Sequence, residues 1–185
     1  MEREKTWIIT RVDGLIASVS IDDKGAAALL AKRSAFSPSK YAKVETAKIS
    51  TPELFDLAAS ARWEDLLLFG TPFQQMVWKA LFDLTHPSDQ SVRLNSYSEF
   101  AESLGKGPGV RAVAHAVGLN PVSVIIPCHL IIPKESIERL HDLNEEENGL
   151  FKRETLYMVD RYIDYGEYQF GTALKRDLIH IHLNR

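Results

Sequence analysis

The spacing of apolar positions changes several times along the chain, and each change predicts a different element. Trp7 to Thr10 and Leu15 to Ile21 are short runs rich in β-branched residues, separated by Arg11-Val12-Asp13-Gly14, and they predict two strands joined by an Asp-Gly turn. Asp22-Asp23-Lys24-Gly25 ends the second strand, and Ala26 to Lys32 predicts a short helix. From Arg33 to Asp65 the pattern weakens. Ser37-Pro38-Ser39 reads as loop, and Thr51-Pro52-Glu53 as a helix start with Thr51 as the cap, continued by Leu54 to Ala61. Helical spacing sharpens at Gly70 to Leu81. There Thr71 can cap, Pro72 suits the first helical position, and Phe73, Val77, Ala80 and Leu81 form one apolar face.

After a polar connection over Thr85 to Arg93, two short helices follow. Ser96 caps a segment running through Leu104, with Phe100, Ala101 and Leu104 facing inward; Gly105-Lys106-Gly107-Pro108-Gly109 breaks it; Val110 to Val117 forms the second helix, and Gly118 stops it. Helix, glycine-containing turn, helix is the pattern of a helix-turn-helix, shared with any αα-hairpin. The second helix, Arg111-Ala112-Val113-Ala114-His115-Ala116-Val117, sets small side chains between larger ones, so a partner backbone can approach closely. Lys106 and Arg111 stand near its start, where basic side chains and helix-end amides can receive phosphate oxygens. An alanine-rich packing helix has the same composition.

Val124 to Ile126 and Leu130 to Ile132 are short aliphatic runs around Pro127, and they predict buried extended segments flanking a bend. Cys128 and His129 lie between them. Burial alone disfavours a thiolate, so a reactive Cys128 needs a base. His129 is next in the chain, but neighbours on an extended segment point to opposite faces, so the two side chains can cooperate only across a turn or through a water. Further on, Glu145-Glu146-Glu147-Asn148-Gly149 reads as an acidic loop before a helix from Leu150 to Tyr162. Asp164 to Arg185 carries no clear pattern, and His180-Ile181-His182 within it reads as a tail feature rather than a ligand pair.

Composition narrows the classes of function. The chain has 185 residues, of which 45% are hydrophobic, enough for a real core. A formal net charge of -3 leaves no global basic footprint, so any contact with nucleic acid must come from a local patch. One cysteine excludes an internal disulfide and a cysteine-based zinc cluster, and a free thiol suits a reducing compartment. Met1 to Thr6 is charged and no long apolar run follows, so neither a signal peptide nor a membrane span is expected.

Phe73-Gln74-Gln75-x-Val77-Trp78, the pair Ser96-Tyr97, the run Arg111-Ala112-Val113, Asn120-Pro121 and Ile126-Pro127-Cys128-His129 occur in this order. Together they resemble the O6-alkylguanine-DNA alkyltransferase family, also called methylated-DNA-protein-cysteine methyltransferases, from about Gly70 to His129. A weaker continuation runs from Gly149-Leu150 to Asp160. The resemblance implies an α+β protein, with a small N-terminal α/β domain (1–65) followed by a mainly helical domain (66–163) carrying the helix-turn-helix and the alkyl acceptor; residues 164–185 form a C-terminal extension. It implies a monomer, cytoplasmic (nucleoid) or nuclear, whose partner is double-stranded DNA containing O6-alkylguanine and which needs no cofactor or metal.

The same resemblance implies roles for particular residues. Cys128 matches the acceptor thiol and His129 the base acting through a water. Asp160 matches the carboxylate that orients the histidine, one methylene shorter than the usual glutamate. Tyr97 matches the tyrosine that crowds the phosphate beside the lesion and can protonate the leaving guanine. Arg111 matches the residue that fills the gap left by a flipped nucleotide, Ala112 and Ala114 are small residues along the groove, and Asn120 matches the hinge asparagine. The chain departs from the family in having Leu130-Ile131 after the histidine, and a longer acidic loop around Glu145. A lesion-binding protein that does not transfer the group, a thiol hydrolase pairing Cys128 with His115 or His141, and a plain transcriptional regulator are the competing readings. The presence of Cys128 favours transfer.

Overall fold

The computed structural model describes residues 5–22, 43–86, 93–146 (backbone alone at 141 and 143–146) and 163–185. The expected helices over 26–32 and 150–162, and with the second of them Asp160, lie outside these residues. Two compact units are present, one built from residues 1–89 and 119–128, the other from 90–118 and 129–185. The arrangement is α+β.

In the first unit, strands β1 (Thr6–Val12), β2 (Leu15–Ser20) and β3 (Val44–Ser50) form an antiparallel sheet in the order β2-β1-β3. The Asp13-Gly14 turn has the expected geometry: both residues adopt positive φ, 50° and 86°, matching the twist of a two-residue hairpin. A register shift between Thr10 and Arg11 lets Thr10 face Ser18 and Arg11 face Ile16. β3 was not legible in the sequence because it lies at the sheet edge, and its middle residues, Glu45 to Lys48, are exposed.

Helix α1 (Thr51–Ser60) follows β3 directly. Its cap is Ser50, one residue before the expected Thr51: Ser50 accepts from the Glu53 N–H while the Glu53 carboxylate accepts from the Ser50 N–H at 2.7 Å. Thr51 instead accepts the indole N–H of Trp7, at 3.0 Å, tying the helix start to the sheet. Helix α2 (Pro72–Phe82) starts as expected, with Thr71 and Gln74 forming a capping box. Its buried face is Val77, Trp78, Leu81 and Phe82, whereas Phe73 and Ala80 are only half-buried.

The free edge of β2 is covered twice. Leu67 N–H donates to the Ile16 carbonyl at 2.8 Å, and Val19 N–H donates to the Pro121 carbonyl at 2.9 Å. The cysteine-bearing segment is thereby sewn to the N-terminal sheet, and an edge open to other chains is closed.

In the second unit, β4 (Asn95–Ser96) leads into α3 (Tyr97–Ser103), and a turn leads to α4 (Val110–Gly118). Ser96 is buried and caps α3 in a full box with Glu99. Gly105, at φ 66°, reverses the chain after α3 in a conformation that costs other residues strain. β4 pairs in parallel with β5 (Ile131–Ile132), Asn95 opposite Ile131 and Ser96 opposite Ile132.

Helix α5 (Lys134–Glu146) follows. The acidic run expected as loop is thus helical through Glu146. The helix is legible in hindsight from Ile137 and Leu140, three residues apart, which pack with Ile132, Ile163, Tyr165 and Ile179. The unpatterned C-terminal stretch contains α6 (Thr172–Leu183), whose Leu174, Lys175, Leu178, Ile179 and His180 are buried.

Candidate active site and DNA-binding helix pair

The thiol sits in a backbone arch made by residues 120–130. Ile126 N–H donates to the Val122 carbonyl at 2.9 Å and Cys128 N–H to the Ile126 carbonyl at 2.8 Å. Val124, at the crest, is held at φ 73°, a left-handed conformation that is strained for a β-branched residue. Such strain persists only where packing over-determines the backbone, and Val122, Val124, Ile125 and Ile126 are all at most 1% exposed. The bend falls at Cys128–Leu130, a single 3-10 turn, just past the expected Pro127.

Asn120 pins this arch from inside. Its Oδ1 accepts the Val122 N–H at 3.0 Å, and its Nδ2 donates to the Ile126 carbonyl at 2.8 Å and to Cys128 Sγ at 3.1 Å. One buried carboxamide therefore fixes the arch's shape and aims a donor at the sulfur. A donated N–H complements negative charge on sulfur, as an attacking thiolate requires. Cys128 itself is 5% exposed.

His129 begins the second unit and is fully buried. Its Nε2 lies 2.9 Å from Nδ1 of His182 on the last turn of α6. Burial first, then the neighbouring His182 and Lys175, hold the His129 imidazole well below its ordinary pKa. It is neutral near pH 7, the form in which a base can accept a proton. His182, read from the sequence as part of a tail, is therefore an inward-facing group.

Tyr97 opens α3 and is half-buried, and its ring centroid lies 5.7 Å from Nζ of Lys175. On α4, Arg111, Ala112 and His115 are exposed and Ala114 is half-buried, while Val113, Ala116 and Val117 turn inward. Lys106, in the preceding turn, is exposed. The helix pair thus exposes Lys106, Arg111 and Ala112, with Ala114 half-buried beside them. Tyr97 and His129 belong with these residues to the second unit, Asn120 and Cys128 to the first, and the Cys128–His129 peptide joins the two. Sequence reasoning missed His182 and Lys175. The signal that could have found them is their seven-residue spacing, which puts both on one helical face.

A helix pair with an exposed second helix and a single thiol in a pinned arch make up the candidate site. The family model described as "6-O-methylguanine DNA methyltransferase, DNA binding domain" matches residues 72–156. The matched stretch contains Tyr97, Lys106, Arg111, Ala112, Ala114, Asn120, Cys128 and His129.

A probable methylated-DNA--protein-cysteine methyltransferase of Acanthamoeba polyphaga mimivirus is 40% identical over 72 residues, 39% of this chain and 45% of the relative. A methylated-DNA--protein-cysteine methyltransferase of Haemophilus influenzae is 37% identical over 99 residues, 52% of this chain and 50% of the relative. The chain thus spans half or less of the length of these relatives. The crystal structure of O6-methylguanine-DNA methyltransferase from the archaeon Pyrococcus kodakaraensis shares the fold, with a TM-score of 0.57 at 15% identity over 98% of this chain and 94% of that one.

Proposed function

We propose that the chain is a single-turnover DNA repair protein, a methylated-DNA-[protein]-cysteine S-methyltransferase, that moves an alkyl group, methyl in the simplest case, from O6-alkylguanine in duplex DNA to its own Cys128. The observation that carries this reading is the Asn120 Nδ2 to Cys128 Sγ hydrogen bond at 3.1 Å, inside the family segment and beside the chain's only cysteine.

A base alkylated on O6 cannot be reached within the stack, so the nucleotide is extruded at a cost of a few kcal/mol, less for a badly paired base. Arg111 enters the gap, Ala112 and Ala114 let α4 approach the groove, and Lys106 meets phosphate. His129, acting through a water, takes the thiol proton. The thiolate then forms the S–C bond as the O6–C bond breaks, and the bonding pair stays on guanine. Tyr97 supplies the proton the leaving base needs. No residue in this scheme cleaves the thioether, so each molecule reacts once. The reading places the protein, as a monomer, with DNA in the cytoplasm (nucleoid) or nucleus.

The test is the intact mass of the protein after incubation with a duplex containing one O6-methylguanine, followed by peptide mapping. A gain of one methyl group on Cys128, lost in Cys128→Ala, is the expected result. Selective binding of the lesion with no mass gain would replace transfer by sensing.

A further inference from the structure

Two polar side chains of α6 turn into the stretch that follows the thiol. Lys175 is 1% exposed, and its Nζ donates to the Ile131 carbonyl at 2.7 Å. His182 is two helical turns further along the same face, with its Nδ1 2.9 Å from His129 Nε2. Leu178 and Ile179, which lie between them along the helix, are both fully buried. The helix is thus fastened to residues 129–131 near its start and at its end, and the His129 ring receives its partner from 53 residues away.

The hydrogen bond between the two imidazoles can run in either direction, depending on which ring carries the proton on the shared side. If His129 Nε2–H donates to His182 Nδ1, the lone pair of the His129 ring lies on Nδ1, where a base accepts a proton. If His182 Nδ1–H donates instead, His129 carries its proton on Nδ1 and is no base at that atom. The partner of a histidine's second nitrogen therefore decides both the ring's orientation and its tautomer.

We propose that His182 is the positioning residue of His129, holding it by accepting from Nε2–H so that the lone pair faces away on Nδ1. The C-terminal extension is then part of the alkyl-transfer apparatus. This rests on the transfer reading above. Lys175 supports the arrangement by locking α6 onto the Ile131 carbonyl, so that His182 arrives at a fixed height.

The test uses the full chain with 15N-labelled histidine, comparing wild type, His182→Ala and His182→Asn, whose amide oxygen can take the place of Nδ1. Single-turnover methyl transfer, lesion-duplex affinity and the His129 15N shifts are measured on each. Wild type should show a protonated Nε2 and an unprotonated Nδ1 on His129. His182→Ala should lose that fixed pattern and transfer about tenfold more slowly or worse, while His182→Asn stays within about threefold of wild type, and affinity is unchanged in both.

An Nδ1–H tautomer in wild type, a wild-type rate in His182→Ala, or an equal loss in His182→Asn would overturn the proposal. If His182→Ala does not fold, His182→Asn against wild type decides. If wild type transfers nothing, the transfer reading has failed, and the 15N pattern alone decides whether His182 sets the tautomer.

Discussion

Val19 of β2 donates its backbone N–H to the Pro121 carbonyl at 2.9 Å, and with that bond the N-terminal sheet becomes the splint for the arch that carries the thiol. The arch has too few residues to hold a strained Val124 by itself. The sheet contributes a fixed edge, and Asn120 fixes the arch's interior.

Asn120→Ala removes three hydrogen bonds at once, leaving the buried Val122 amide unmatched and the Ile126 carbonyl with the Cys128 N–H alone. Stability should fall by about 2–4 kcal/mol, read from urea unfolding. Asn120→Asp keeps the shape but sets an acceptor against Sγ and the Ile126 carbonyl, so methyl transfer should slow even where the protein remains folded. A rate equal to wild type in Asn120→Asp would show that the donor to Sγ is dispensable.

Stability should fall in mild acid because of His129. The unfolded chain takes up a proton as pH drops through about 6.5, while the buried ring resists it to lower pH. This contribution is therefore fully present above about pH 6.5 and is lost as pH falls toward the depressed folded value, at no more than about 1.4 kcal/mol per pH unit for one proton. Urea midpoints at pH 7.5 and 5.5 check it, and His129→Gln should flatten the dependence.

Gly70→Ala should destabilise the first unit by about 1–3 kcal/mol, read as a lower Tm. A Cβ there would sit 2.5 Å and 2.6 Å from the Trp78 ring and 2.9 Å from Gln74 Oε1. Trp78 is 1% exposed and cannot swing aside, and Gln74 is engaged in the cap of α2.

Arg111→Ala should weaken binding to a lesion duplex, by about 1–3 kcal/mol, while leaving the unfolding midpoint within about 0.5 kcal/mol of wild type. The side chain is exposed, so its loss costs the fold little. Fluorescence anisotropy at two salt concentrations checks the first expectation, and urea unfolding the second.

Much of the chain was legible from local chemistry. Asp13-Gly14, Thr71-Pro72 and Ser96 with Glu99 mark a turn and two helix starts through bonds made within a few residues, so the sequence alone determined them. The order of motifs from Phe73 to His129 carried the resemblance that the family model over residues 72–156 also reports, for the same reason: it is a property of which residue stands where. Edge strand β3 and helix α5 escaped, the first because exposed strands lack an apolar rhythm, the second because its charged residues outnumber its two core positions.

What tertiary structure alone decided is who meets whom across long separations. That Pro121 caps β2, that Lys175 reaches Ile131, and that His129 is paired with His182 depend on where helices and strands come to rest. No local spacing encodes a hydrogen bond between residues 53 positions apart. Burial then gave those encounters their chemical force, since an imidazole sealed from water must take its proton partner from the protein that surrounds it.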